Sequence, residues 1–402
     1  MDTDLQEAIN ELHRRQAQAA AESGYAENPH AAAQIEAIEA QFRSDRSLKS
    51  DKVRLGWMLY RPEWVAAWDS RADRIWARLR PGPYELPGII NVLVRQAAVV
   101  EHAMQGGLSS FSPQLDTSRS TERVLLGTLA RGHVNAFADR TAVSDYRIVL
   151  VQHGLPGLFY MVALAMTAAW SAESPPAGRT AAFNPTEDHV RDRLSKSSIA
   201  MSTLAGTLLA YLYSGNPWRT SLSHVEPERT MALGVLLTLA ERWVLAHEYT
   251  HVLFDLDGPT LSTPQDHHDI ELRADAVATN IVLASAAELD SADPATALAG
   301  ITLALRSLRL IGEAFGIART GQPRQDSPTG THPSVMDRLR NAYAITLNSI
   351  ERAGAPEHKK HEIMSFSGHI WRTVDLIGER VFPTILASHQ SGWKLHPIWD
   401  ED

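Results

Sequence analysis

The stretch MALGVLLTLAERWVLAHEYTHVLF, residues 231–254, decides the fold of this chain. Its first ten residues are apolar almost all round, which is typical of a helix buried in a protein interior. Pro227 between two acidic residues favours a helix start, and Asp257-Gly258-Pro259 favours an end. The sequence therefore predicts one long helix from Pro227 to Asp255.

The last turns of this predicted helix carry the motif H-E-x-x-H at His247, Glu248 and His251. Residues four apart project from the same face of a helix, so both imidazoles can bind one metal ion. Glu248 follows the first histidine directly, where its carboxylate can act as a base toward a water on that metal. The alternative, for the motif alone, is a pair of histidines on an ordinary helix.

A catalytic zinc ion usually has three protein ligands and one water, so a third ligand is expected nearby. A second helical pattern begins at Thr263-Pro264 and carries Glu271 and Asp275 one turn apart. Glu271 can complete the ligand set while Asp275 holds the other ring nitrogen of a ligand histidine. Taken alone, both residues are equally well interpreted as surface carboxylates. The other candidate ligands in this region are Asp255, Asp257, Asp266, His267, His268 and Asp269.

Three motifs in this order resemble those of the gluzincin metallopeptidases, in particular the M48 group. They are H-E-x-x-H at 247–251, E-L-R-A-D at 271–275, and His332-Pro333 followed by Arg338. The resemblance covers roughly residues 227–340 and implies a zincin-like catalytic core with one zinc ion per chain. It implies zinc ligands at His247, His251 and Glu271, a catalytic base at Glu248 and an accessory role for Asp275.

His332 and Arg338 are candidates for a role beside a bound substrate. Residues 319–333 are rich in Gly, Pro and Ser, which is typical of a loop, and Pro333 favours an extended backbone at His332. A capping box that begins at Ser334 predicts a new helix there. His332 can donate a hydrogen bond to the oxyanion of a tetrahedral intermediate, or it is an ordinary loop residue. Arg338 orients this group or a carboxylate, or it forms a surface salt bridge.

Composition limits the classes of function. The 402 residues include 44% hydrophobic and 21% charged residues, which are ordinary values for a globular protein. The net charge of −9 argues against nucleic acid as a partner. The chain has no cysteine, which excludes disulfides and thiolate ligands and leaves His and carboxylates for a metal. It is also consistent with a reducing cytoplasm, where we expect the protein to be located.

Two segments, Leu155–Trp170 and Ile199–Tyr213, are apolar enough to be candidate membrane spans. Both are shorter than the ~20 apolar residues that a bilayer requires, so we expect buried core helices and no membrane span. In this respect the chain departs from the membrane-embedded members of the M48 group.

The expected fold is mainly α, with a zincin-like (gluzincin) catalytic core and a helical N-terminal region. Residues 1–225 form that region, whose role is unknown, and residues 226–350 form the zinc metallopeptidase core. Residues 351–402 form a C-terminal helix and tail. The best strand candidate is Tyr146–Val151, which is short and rich in β-branched residues.

The leading hypothesis is a zinc metalloendopeptidase that hydrolyses protein or peptide substrates through a zinc-bound water, with Glu248 as the general base. The alternative is a catalytically silent or latent metal-binding regulatory protein whose gluzincin-like site is covered by the N-terminal half. In a third hypothesis the motif is coincidental and the chain is a helical interaction protein. An amidase or other hydrolase also fits, because the motif specifies the water and not the bond attacked.

Overall fold

The computed structural model describes residues 3–47, 62–111, 121–141, 144–170, 186–196, 198–215, 227–254, 264–286, 293–327 and 332–399. In this part of the chain twelve α-helices and three β-strands are found, so the predicted mainly α fold is confirmed. The zincin-like core stays a prediction. In chain order the helices are α1 (Thr3–Ser23), α2 (Ala31–Ser47), α3 (Pro62–Arg78), α4 (Pro87–Phe111), α5 (Gly154–Trp170), α6 (Glu187–Lys196), α7 (Ser198–Ser214), α8 (Pro227–Phe254), α9 (Pro264–Ala286), α10 (Pro294–Thr320), α11 (Val335–Arg352) and α12 (Glu357–Gln390).

The chain divides into two compact units that are interleaved along the sequence. The first unit comprises Met1–Leu155 and Glu241–Asp293, and the second unit comprises Pro156–Ala240 and Pro294–Asp402. Helix α8 therefore contributes its first half to the second unit and its second half to the first unit. The sequence-based division into residues 1–225, 226–350 and 351–402 concerns function and is not a division into compact units. It stays a prediction.

The first unit contains a three-stranded sheet of β1 (Val124–Leu129), β2 (Ala136–Arg140) and β3 (Arg147–Gln152). Strand β3 is central, and it pairs parallel with β1 and antiparallel with β2. The sequence predicted the third strand, at Tyr146–Val151, and missed the other two. A small mixed sheet is thus added to the expected helical N-terminal region.

Helix α1 packs on this sheet through one apolar face. Ile9 and Leu12 are buried in the same cluster as Leu125 of β1 and Ile148 of β3. Gly24 follows the helix with a φ of 65°, a left-handed conformation that glycine adopts without strain.

Helix α8 and the start of α9 lie close to the predicted residues. Helix α8 ends at Phe254, one residue before the predicted end, and α9 begins at Pro264. Most side chains from Val235 to Leu253 are buried, as expected for a helix that is apolar on every side. In the second unit Gly300 of α10 permits a close approach to α8, since a Cβ there would lie 2.5 Å from Cβ of Leu239.

Helices α5 and α7 correspond to the two predicted core helices, and α5 is buried over most of its length. Among the described residues one helix, α10, is long and apolar enough to cross a membrane by length and composition alone. Its most apolar window is 67% buried within the protein, and a core helix passes the same test. The expected lack of a membrane span therefore stays a prediction.

Candidate metal centre

Among the side-chain contacts that join α8 to α9 within the first unit, three pairs have a regular spacing. From one pair to the next, the residue number increases by four on α8 and decreases by four on α9. The two helices therefore pack antiparallel, and each pair lies one turn beyond the last. The closest distances between polar atoms are 3.4 Å for Trp243–Thr279, 2.9 Å for His247–Asp275 and 3.2 Å for His251–Glu271.

Three potential ligand side chains converge at the last two pairs. Nε2 of His247 lies 3.0 Å from Nε2 of His251. The two carboxylate oxygens of Glu271 lie 3.3 Å and 3.2 Å from these nitrogens. Each of the three residues offers one ligand atom, and these atoms lie within 4.8 Å of one another. We refer to His247, His251 and Glu271 as the metal group.

The metal group fits a zinc ion in both chemistry and spacing. Zinc bonds of about 2.0–2.1 Å in a tetrahedral arrangement hold two ligand atoms about 3.3–3.4 Å apart. The two histidine nitrogens lie 3.0 Å apart, and each lies 3.2–3.3 Å from a different oxygen of Glu271, so these separations are close to that range. Two imidazoles and one carboxylate are also a ligand set that catalytic zinc sites use.

Asp275 orients the imidazole of His247. Its side chain is fully buried, and its Oδ1 lies 2.9 Å from Nδ1 of His247. When this carboxylate is ionised it can only accept a hydrogen bond, and Nδ1 of His247 then carries a proton while Nε2 is free to bind a metal ion. The ring of Trp243 lies 5.9 Å from the imidazole and limits its rotation from the other side. This is the arrangement that orients ligand histidines in metal sites.

The side chains of the centre are almost completely buried. The exposed fraction is 6% for His247 and 8% for each of Glu248, His251 and Glu271. Burying ionised carboxylates such as those of Glu271 and Asp275 is costly unless positive charge nearby compensates them. A divalent metal ion held by His247, His251 and Glu271 would provide that compensation.

The structure brings together the residues that the spacing predicted to be neighbours, namely His247, His251, Glu271 and Asp275. Their roles as ligands and supporting residue stay predictions. Four alternative ligands lie at the start of α9, half-buried or exposed and outside the metal group: Asp266, His267, His268 and Asp269. Two further alternatives, Asp255 and Asp257, lie outside the described residues.

His332 and Arg338 belong to the second unit. His332 is exposed, and Arg338 is half-buried in the first turn of α11. The predicted helix cap is confirmed, because Ser334 Oγ accepts a hydrogen bond from the backbone N of Asp337 at 3.1 Å. Asp326 also accepts hydrogen bonds from two backbone N–H groups at the start of this helix, at 2.9 and 3.0 Å. The predicted roles of His332 and Arg338 beside a substrate stay predictions.

Four residues around the centre were not predicted from the sequence: Trp243, Thr279, Tyr249 and Glu101. A local signal existed for the first pair, since Trp243 lies four residues before His247 and Thr279 follows the E-x-x-A-D motif with the same spacing. Tyr249 and Glu101 are 148 residues apart and meet through a hydrogen bond in the structure. No local pattern predicts that contact.

Comparison with known proteins adds a reaction class. Residues 158–355, just under half of the chain, match the sequence model of the family described as Peptidase U49. The matched range contains every predicted site residue from His247 to Arg338. It supports a peptidase family, and therefore a hydrolase with a protein substrate, without specifying the M48 group. No curated protein and no solved structure shows a significant match to the chain.

Proposed function

We propose that the protein is a zinc-dependent metalloendopeptidase of the gluzincin, M48-like type. The observation that carries this proposal is the convergence of His247, His251 and Glu271, with Asp275 behind the first histidine. The family match supports the reaction class. The metal group supports the zinc dependence, since two buried imidazoles and a buried carboxylate in this arrangement suit a divalent cation.

His247, His251 and Glu271 would hold one zinc ion per chain. When bound, zinc lowers the pKa of water toward about 7 and polarises a carbonyl group. Asp275 would keep His247 in the tautomer that offers Nε2 to the metal.

Glu248 is the proposed general base. Its carboxylate accepts a proton from the attacking water as the new C–O bond forms at the peptide carbonyl. It then returns that proton to the amine as the C–N bond breaks, so that one water is consumed for each bond hydrolysed. His332 would donate a hydrogen bond to the oxyanion, and Arg338 would orient this histidine or a carboxylate.

The test combines metal analysis with a peptide-library cleavage screen on the wild type and on Glu248→Gln. The wild type should contain one zinc ion per chain and cleave peptides. Glu248→Gln should keep its zinc and lose about 10²–10⁴-fold in turnover, because only the proton acceptor is removed. His251→Ala, as a control, should lose both zinc and turnover. Wild-type turnover in Glu248→Gln would reject the role of this residue.

The burial of the centre favours a second candidate, a latent or catalytically silent metal-binding protein. With 6–8% exposure, the side chains of His247, Glu248 and His251 leave little room for a peptide. Stoichiometric zinc together with no cleavage of any library peptide would favour this candidate over an active peptidase.

A further inference from the structure

Tyr249 lies between the two ligand histidines in sequence and on the opposite side of α8. Each residue of an α-helix turns the chain by about 100°, so a residue two positions from His247 points away from it. The side chain of Tyr249 is fully buried, and its hydroxyl donates a hydrogen bond to Oε1 of Glu101 at 3.2 Å.

Glu101 connects three helices through a single oxygen atom. It lies on α4 with an exposure of 2%, and its Oε1 also accepts a hydrogen bond from Nη2 of Arg78 on α3 at 3.1 Å. Burial raises the pKa of Glu101 to about 7, and the charges of Arg78 and Arg71 oppose this increase. A buried carboxyl group is costly to leave unsatisfied, so both donors are held firmly in place.

A second polar contact joins the same two helices. Arg242 lies seven residues before Tyr249, which places both on one face of α8. Its Nε donates to Oε1 of Gln96 on α4 at 3.0 Å. Tyr249 and Arg242 thus fix α8 to α4, and Arg242 also donates from Nη1 to Oγ of Ser285 on α9 at 2.7 Å. His247 and His251 project from α8 toward Glu271 of α9. Apolar packing alone would permit small rotations of the helix, whereas directional hydrogen bonds on both faces do not.

We propose that Tyr249 and Glu101 are positioning residues, which set the rotation of α8 so that His247 and His251 point at Glu271. The ligand nitrogens lie roughly 5–6 Å from the helix axis, so a rotation of about 10° displaces them by about 1 Å. Metal–ligand distances tolerate changes of about 0.2 Å. The bond between Tyr249 and Glu101 therefore controls metal affinity without touching the metal. This inference rests on the proposed zinc site and adds a second layer to it.

The experiment compares two variants that each lose one tyrosine hydroxyl. Tyr249→Phe removes the donor to Glu101, and the control Tyr343→Phe removes a donor to Oγ of Ser367, 2.7 Å away in the second unit. Zinc affinity is measured by competition with a chromophoric chelator, and the stability of the metal-free protein by urea denaturation. Tyr249→Phe should weaken zinc binding about 10–100-fold, as loss of a supporting contact does in known sites. Tyr343→Phe should bind zinc like the wild type, even where its stability falls by a similar amount.

A second pair of variants keeps the test decisive if Tyr249→Phe does not fold. Glu101→Gln retains the oxygen that accepts both hydrogen bonds and should keep zinc affinity within about threefold. Glu101→Ala removes that oxygen and should weaken zinc binding as Tyr249→Phe does. Equal zinc affinity in the wild type, Tyr249→Phe and Glu101→Ala would overturn the positioning role and leave the proposed function intact. A wild type that binds no zinc would instead overturn the proposed function and this inference with it.

Discussion

In the second unit Arg306 lies buried between Glu313 and Asp375, whereas in the first unit Glu271 lies buried beside two imidazoles. Nη2 of Arg306 is 3.0 Å from Oε2 of Glu313, and its Nε donates to Oδ1 of Asp375 at 2.7 Å. The guanidinium also lies 5.2 Å from the ring centroid of Trp371. We refer to Arg306, Glu313 and Asp375 as the arginine cluster.

The two groups differ in how the negative charge of their carboxylates is compensated. The arginine cluster contains its own cation, and Arg309, whose Nε lies 2.9 Å from Glu313, adds a second. The metal group contains one carboxylate and two imidazoles, with the carboxylate of Asp275 behind them. Buried charge of one sign requires compensation from the other. An ion-pair network that contains its own cations thus differs from a group of side chains that could hold a metal ion, although both join carboxylates of neighbouring helices.

The largest expected effect concerns the arginine cluster. Arg306→Met removes the cation shared by buried Glu313 and half-buried Asp375, while Arg309 still pairs with Glu313. It should lower the free energy of unfolding by about 3–4 kcal/mol, toward the lower end for breaking a buried pair from one side. The loss should be the same with and without zinc, as measured by urea denaturation. Arg340→Met is the control, since its side chain is 70% exposed beside Asp337 and should change stability by less than about 1 kcal/mol. If the loss of unfolding free energy in Arg306→Met depends on zinc, the arginine cluster is not independent of the metal group and the distinction between them is wrong.

Glu85 represents a third way to bury a carboxyl group, with neutral donors instead of a cation. It accepts hydrogen bonds from the side chains of Gln16 and Thr128, and from the backbone N of Thr128 at 3.1 Å. Burial raises its pKa from 4.5 to about 7, and these hydrogen bonds oppose the increase only in part. The group responds to burial by holding its proton more tightly.

This raised pKa gives a signed pH dependence. Because the folded-state pKa lies above the unfolded value, the stabilisation is fully present below pH 4.5 and is lost as the pH rises through 7. The wild type should therefore lose about 3 kcal/mol of unfolding free energy relative to Glu85→Gln between pH 4.5 and 8. Urea denaturation of both proteins across this range measures the difference. Parallel stability curves would show that Glu85 does not titrate in this window.

The sequence was informative where a contact depends on spacing within one helix. The ends of α8 and α9 follow from proline, glycine and the apolar pattern, and the proximity of Glu271 to the two histidines follows from four-residue spacing on each helix. Strand β1 was missed because Val-Leu-Leu-Gly-Thr-Leu is a short apolar run that periodicity cannot distinguish from a buried helix segment.

Contacts between distant parts of the chain could not be predicted from the sequence. The hydrogen bond from Tyr249 to Glu101 joins α8 to α4, and the residue pattern of α8 does not indicate that α4 is its neighbour. The arginine cluster likewise joins residues 69 positions apart. Helix spacing identifies the face of a helix that meets a neighbour. It does not identify which neighbour meets the opposite face, because that depends on how the whole chain packs.

The smallest effect, and the sharpest test of the metal group, is expected for Asp275→Asn. Asparagine can still accept the hydrogen bond from Nδ1 of His247 through its side-chain oxygen, so the geometry should persist while the negative charge is lost. A neutral partner leaves the imidazole a weaker ligand, and zinc affinity should fall about 10–100-fold, or about 1.4–2.7 kcal/mol. Asp269→Asn on the exposed side of the same helix should bind zinc as the wild type does. If both variants bind zinc equally well in chelator competition, Asp275 does not support a ligand. The buried carboxylate would then serve the fold, as those of the arginine cluster do.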